Sequence, residues 1–378
     1  MAGTEHGVEM TSRARAGARD VSVDLLRIVG ALMVIGAHIN LENLIDGKPS
    51  MKRILVSCVV GDGVAVFWLV LGCFYFAGAA YGLRLKKLLV RVIIPMVLFS
   101  AFTYYFHGVL CEGKTLAQSL SHTGEERLAL LQGLMTWDNA VKGTNHFWYL
   151  YVYILVILIC PILAAFRNTI VDTKKEWVLI AILFCVFVYN DLSGNRFAGF
   201  SHHGFNGVMG ACPFVFLGDF LYRHRRYFQG NVRLGLIGAA AWIGISLGRA
   251  YLVRFCYGLP QPVDEPLFWY TSYAFLSVTA LTVCVFGLSG LVRNIKLERV
   301  IIQIGRCTFG VYLVHMLVRN FYQSRGMNLR ILEIVHGSVF GYQILYTLLI
   351  FGTSLAIVEV WVLFRMLLGT GKRNRDAK

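Results

Sequence analysis

The sequence predicts an all-α, polytopic membrane protein of about ten transmembrane helices with both termini in the cytoplasm. Three observations predict it. Of the 378 residues, 57% are hydrophobic and only 15% charged, whereas a soluble domain is about a quarter charged. Apolar runs long enough to cross a bilayer recur from Val21 almost to the C-terminus. The basic residues gather in short clusters at alternate connections between those runs. Disorder is excluded by 26 Phe, 18 Tyr and 7 Trp, far too many for a chain that avoids burial.

In order, the spans are expected near 21–41, 57–81, 88–110, 146–166, 177–190, 206–222, 233–252, 267–291, 304–323 and 338–368. Residues 1–20 are polar and Arg-bearing, with no apolar core or small-residue cleavage site, so they read as a cytoplasmic tail. Residues 21–368 form the transmembrane domain and 369–378 a basic cytoplasmic tail. With the N-terminus inside, the clusters Arg84/Lys86/Lys87, Arg167/Lys174/Lys175, Arg223/Arg225/Arg226, Arg293/Lys296/Arg299 and Arg365/Lys372/Arg373 all fall inside as well. That distribution follows the positive-inside rule. Outside, the longest connection, 111–144, holds an amphipathic stretch at 125–136 suited to a surface helix.

The net charge of +15 does not indicate nucleic acid, because the cations are dispersed among loops and form no single basic surface. The nine Cys sit mostly inside apolar runs and form no CxxC, so they read as small buried hydrophobes. His202-His203 lacks a third and fourth ligand nearby, and no metal is expected. Residues 108–115 spell GxxxxGKT. A P-loop must follow a buried strand, and this stretch follows the aromatic end of a helix instead, so it is discarded.

Ionisable residues inside spans are costly and are therefore candidates for function. Asp24 and Arg27 are i,i+3 on the first span and can pair. Arg27 and His38 are eleven residues apart, so they share a face and are separated by about 16 Å of rise. The helix therefore aims a guanidinium near one surface and an imidazole near the other along one path. Arg84, Lys87 and Arg91 form a cationic stripe at helical spacing. Arg91 lies deepest and suits an anionic ligand such as a phosphate.

These residues, Asp24-x2-Arg27-x10-His38, with Phe67-Trp68-Leu69-Val70-Leu71-Gly72 and Lys87-x3-Arg91-x3-Pro95, resemble the acyltransferase 3 family of integral membrane acyltransferases. His146-Phe147-Trp148-Tyr149-Leu150-Tyr151 and Phe309-Gly310-Val311-Tyr312-Leu313-Val314-His315 agree, in the expected order. Two departures stand out: Leu71 occupies a place where the family has Ser, and the cations are spaced Lys-x3-Arg.

The resemblance implies transfer of an acyl group, usually acetyl, from cytosolic acyl-CoA to a hydroxyl of an extracytoplasmic sugar or envelope acceptor, in a plasma (inner) membrane and among its lipids. It implies a catalytic set of His38 as base or covalent acyl carrier, with Asp24 orienting Arg27 and keeping that cation paired. Lys87 and Arg91 would hold the anionic donor. Trp148, Tyr151 and His315 would line the substrate path. The rival reading is a transporter of small molecules such as amino acids, like the membrane domains of membrane serine racemases. No soluble partner domain is expected after residue 368.

Overall fold

The computed structural model describes residues 19–39, 51–78, 80–121, 126–128, 141–192, 204–255 and 271–373. Among them every element is helical, and there is no strand.

The first helix, α1 (Val21–Ala37), starts where Asp20 accepts a hydrogen bond from the Ser22 N–H, a side-chain cap for an otherwise unpaired donor. The second span is broken. α2 (Met51–Val60) and α3 (Gly63–Tyr75) meet at Gly61-Asp62. The third is α4 (Tyr81–Leu88), a π turn at Leu89–Ile93, and α5 (Ile94–Cys111). Pro95 explains that turn: it has no N–H for the Arg91 carbonyl and its ring crowds that oxygen, which a widened turn relieves. A short turn, α6 (Leu116–Leu120), follows.

A 3₁₀ turn at Asn145–Phe147 opens α7 (Trp148–Leu158), which bends by 56° into α8 (Cys160–Asn168). Pro161 is the physical reason, since it cannot donate to the Ile157 carbonyl. The remaining helices are α9 (Lys174–Leu192), α10 (Gly204–Arg223), α11 (Val232–Phe255), α12 (Ser272–Leu288), α13 (Ile295–Ser324), α14 (Met327–Ile334) and α15 (Val339–Arg373).

Within the described residues, each of the ten expected segments falls mostly on helix. Six described helices are long and apolar enough to cross a membrane, and the bent α7–α8 pair would make a seventh. The segments near 21–41, 177–190 and 206–222 are helical as α1, α9 and α10 without meeting that criterion. Of the expected surface helix at 125–136, only 126–128 are described, and these are helical. His202-His203 lie outside the described residues.

Trp68, Tyr75, Phe147, Phe214 and Phe286 fill the centre of the bundle. Val97, Leu98, Ile237, Ile243, Ile344 and Leu348 face outward on α5, α11 and α15, as a bilayer solvent requires. α1 packs against α3, α13 and α15, so the helix bearing Asp24, Arg27 and His38 lies inside the bundle. Glycines let α3 and α10 cross in close contact. A Cβ at Gly72 would run into the Val215 carbonyl oxygen, and one at Gly218 into that of Leu69.

Small residues of this kind let membrane helices approach without a hydrophobic driving force between them. Gly72→Ala is therefore expected to force α3 and α10 apart and cost about 2 kcal/mol. A thermal unfolding midpoint in detergent equal to that of the wild type would contradict this.

Candidate active site

Asp24 is completely buried and lies between two arginines of the same end of the molecule. Its Oδ1 accepts from Arg19 Nη2 at 2.5 Å and from Arg27 Nη1 at 2.6 Å, and its Oδ2 accepts from Arg19 Nε at 2.8 Å. Gly305 on α13 makes the room: a Cβ there would stand 2.7 Å from the Asp24 carboxyl carbon. The carboxylate fixes the direction of both guanidinium groups, and Arg27 also lies over the Phe74 ring at 5.4 Å.

Beyond the triad a cavity of about 520 Å³ opens between α1, α3, α7, α13 and the π turn. Four arginines line it: Arg19, Arg27, Arg91 and Arg306. Arg91 owes its place to the π turn. Asp24 neutralises part of the charge of Arg19 and Arg27. Among the described residues Arg91 and Arg306 form no ion pair. The apolar wall is made by Phe67, Val70, Leu71, Phe74, Phe309 and others. A cationic rim over an apolar chamber suits an elongated ligand with an anionic head and an apolar tail.

At the inner end of this cavity stand Tyr149 and Tyr312. The same two residues line a second, much smaller crevice with His38, His146, Trp148, Gly61 and Gly63. Three imidazoles meet there. The ring centroids of His38 and His146 are 6.1 Å apart, those of His38 and His315 5.4 Å, and those of His146 and His315 4.6 Å.

One backbone carbonyl organises two of the rings. Tyr312 O lies 2.9 Å from His146 Nε2 and 2.6 Å from His315 Nδ1. A carbonyl only accepts, so both of those nitrogens carry hydrogen. The opposite nitrogens, His146 Nδ1 and His315 Nε2, are buried without a hydrogen-bond partner among the described residues. In the neutral rings each therefore presents a lone pair. The Tyr312 hydroxyl in turn donates to the His146 carbonyl at 2.5 Å. Ring and backbone at this junction are thus locked together. The three rings are not arranged to share a metal ion.

The structure brings together Asp24, Arg27 and Arg91 at one end, and His38 and His315 at the other. Trp148 lines the crevice. Lys87 is exposed on the last turn of α4 and does not line the large cavity. Tyr151 is half-buried, packs against the core and lines neither space.

Arg19, Arg306, Tyr149, Tyr312 and His146 also belong to the site, and the expected site residues do not include them. The signal for His146 and Tyr312 was present in the two aromatic stretches that contain them. Arg19 falls in the expected N-terminal tail, and Arg306 counts only among the inside cations at the start of the ninth span.

The P-loop-like stretch has no phosphate cradle. Gly108 lies in α5, and Lys114 Nζ pairs with Glu112 at 2.9 Å. Hydrogen bonds from Lys114 and then Lys142 bring the exposed Glu112 carboxyl down to about 2, so at neutral pH both lysines face an anion of the protein itself.

Comparison with protein-family models matches an acyltransferase domain over residues 20–363. No curated protein and no solved structure matches the chain.

Proposed function

Because the chain belongs to the acyltransferase 3 family, we propose that it moves an acyl group, acetyl in the first instance, from cytosolic acyl-CoA to a hydroxyl of a sugar or other envelope acceptor on the far side of a plasma membrane. One observation supports this above the others: the four-arginine cavity and the histidine crevice have Tyr149 and Tyr312 as a common wall. A donor whose phosphates rest on Arg91, Arg306, Arg27 and Arg19 would point its thioester toward that wall. An acceptor entering from the other side would meet the histidines.

The chemistry asks little more of the protein. A thioester is already activated, so the slow step is making a hydroxyl nucleophilic as it approaches the acyl carbon. A neutral imidazole can take that proton and later return it to the departing CoA thiolate. His38 borders the crevice directly, which suits it to act as this base or to receive the acyl group itself. His146 and His315 stand behind it with fixed tautomers. Trp148 offers the acceptor a flat apolar face.

The donor half is tested by acetyl-CoA binding to the detergent-purified protein. Each arginine that forms no ion pair among the described residues should contribute about 1.4 kcal/mol or more through charged hydrogen bonds. The double variant Arg91→Ala/Arg306→Ala is thus expected to weaken binding by about 100-fold. Lys87→Ala, on an exposed turn outside the cavity, should change binding little. Equal losses in the two would refute this placement of the donor. Folded wild-type protein that binds no acetyl-CoA yet passes small amino acids across a vesicle membrane would favour the transporter.

A further inference from the structure

We propose that Phe67, Tyr149 and Tyr312 form an aromatic collar that limits the transferred acyl group to the size of acetyl, with Tyr149 as its adjustable member. The inference rests on the acyl-CoA reading above and adds the residues that set chain length.

The three rings enclose the junction between the two spaces. Their centroids are 6.0 Å apart for Phe67 and Tyr149, 5.6 Å for Tyr149 and Tyr312, and 6.3 Å for Phe67 and Tyr312. All three line the large cavity. Tyr149 and Tyr312 also line the crevice. An acyl group moving from the arginines to the histidines has to pass these rings.

The two sides of the junction differ greatly in room. The cavity measures about 520 Å³ and the crevice about 10 Å³, the latter close to the space of a single water molecule. An acetyl methyl is of that size. Each further methylene would have to displace close-packed side chains. Chain length is therefore limited on the histidine side, whereas the donor cavity has room for much longer tails.

The rings are not equally able to yield. Tyr312 is held at both ends: its hydroxyl donates to the His146 carbonyl, and its own carbonyl accepts from two imidazoles. Removing its side chain would disturb the histidines along with the passage. Tyr149 rests on the buried face of Trp68 at a centroid distance of 4.4 Å, and Phe67 is partly buried against the core. These two positions can lose a ring while the Tyr312 carbonyl bonds remain.

The test uses the full-length protein in detergent with crude envelope glycans as acceptor, reading free-thiol release from acetyl-, propionyl-, butyryl- and hexanoyl-CoA. The wild type is expected to favour acetyl- over hexanoyl-CoA by at least about 100-fold, the scale on which a filled pocket rejects added methylenes. Tyr149→Ala should bring that ratio below about 10-fold, and Tyr149→Phe should keep it, because the ring and not the hydroxyl closes the gap. Phe67→Ala should shift the ratio in the same direction, which covers the case that Tyr149→Ala fails to fold.

Wild-type protein that uses hexanoyl-CoA as well as acetyl-CoA would overturn the collar and leave the acyltransferase reading intact. So would ring variants that retain the wild-type preference. Release from none of the thioesters, by folded protein, would overturn acyl transfer and the collar with it.

Discussion

His38→Ala is expected to slow acyl transfer about a thousandfold or more while leaving acetyl-CoA affinity close to that of the wild type. The reasoning is spatial. His38 closes α1 at the crevice, with Tyr149 and Tyr312 between it and the donor cavity. No atom of its side chain lines the arginine cavity, so the donor should bind without it. The loss should appear in kcat, because a group acting on the transferring proton or acyl carbon matters only as the reaction proceeds. His146 and His315 should not substitute for it: each has one nitrogen committed to Tyr312 O, and both rings are deeply buried. Thiol release from acetyl-CoA in the presence of envelope glycans, measured alongside binding, checks this. Parallel loss of binding and turnover would place His38 in the donor site and refute the division of labour.

The second large effect is on stability. Asp24→Asn is expected to destabilise the protein by about 3 kcal/mol, within the usual range for removing one partner of a buried ion pair. The carboxylate is fully buried, and two guanidinium groups point at it. An amide keeps the shape but loses the charge, and leaves Arg19 and Arg27 repelling each other at short range. Because Arg19 and Arg27 are a quarter to a third exposed, the loss should fall short of the upper limit. Arg27→Met in the same chain should recover part of it by removing one of the two uncompensated charges. Thermal unfolding in detergent distinguishes the outcomes. A single variant as stable as the wild type, or a double variant less stable than the single, would contradict this account.

Much of this arrangement was legible in the sequence because helical phase is local. The eleven-residue interval between Arg27 and His38 places them on one face of one helix, and in the structure Arg27 lines the large cavity and His38 the crevice. Arg91 is legible for the same reason, and Pro95 four residues later explains the π turn on which it lines the cavity. What stayed illegible depends on which helix meets which. That the Tyr312 carbonyl would take hydrogen bonds from His146 and His315 at once requires the start of α7 to lie against the middle of α13. No periodicity in either segment says so. Arg306 reads as one more inside cation at the start of the ninth span until Gly305 is seen fitting beneath Asp24. Helical spacing alone groups Lys87 with Arg91, but the widened turn at Leu89–Ile93 breaks that spacing.

The central claim is that the arginine cavity and the histidine crevice form one route across the membrane. It is tested most directly in sealed proteoliposomes with labelled acetyl-CoA outside and envelope glycan only inside. The account predicts that label accumulates on the enclosed glycan, that free CoA thiol appears outside in equal amount, and that both cease with His38→Ala. Label confined to the CoA side, or glycan labelling that persists without His38, would contradict it.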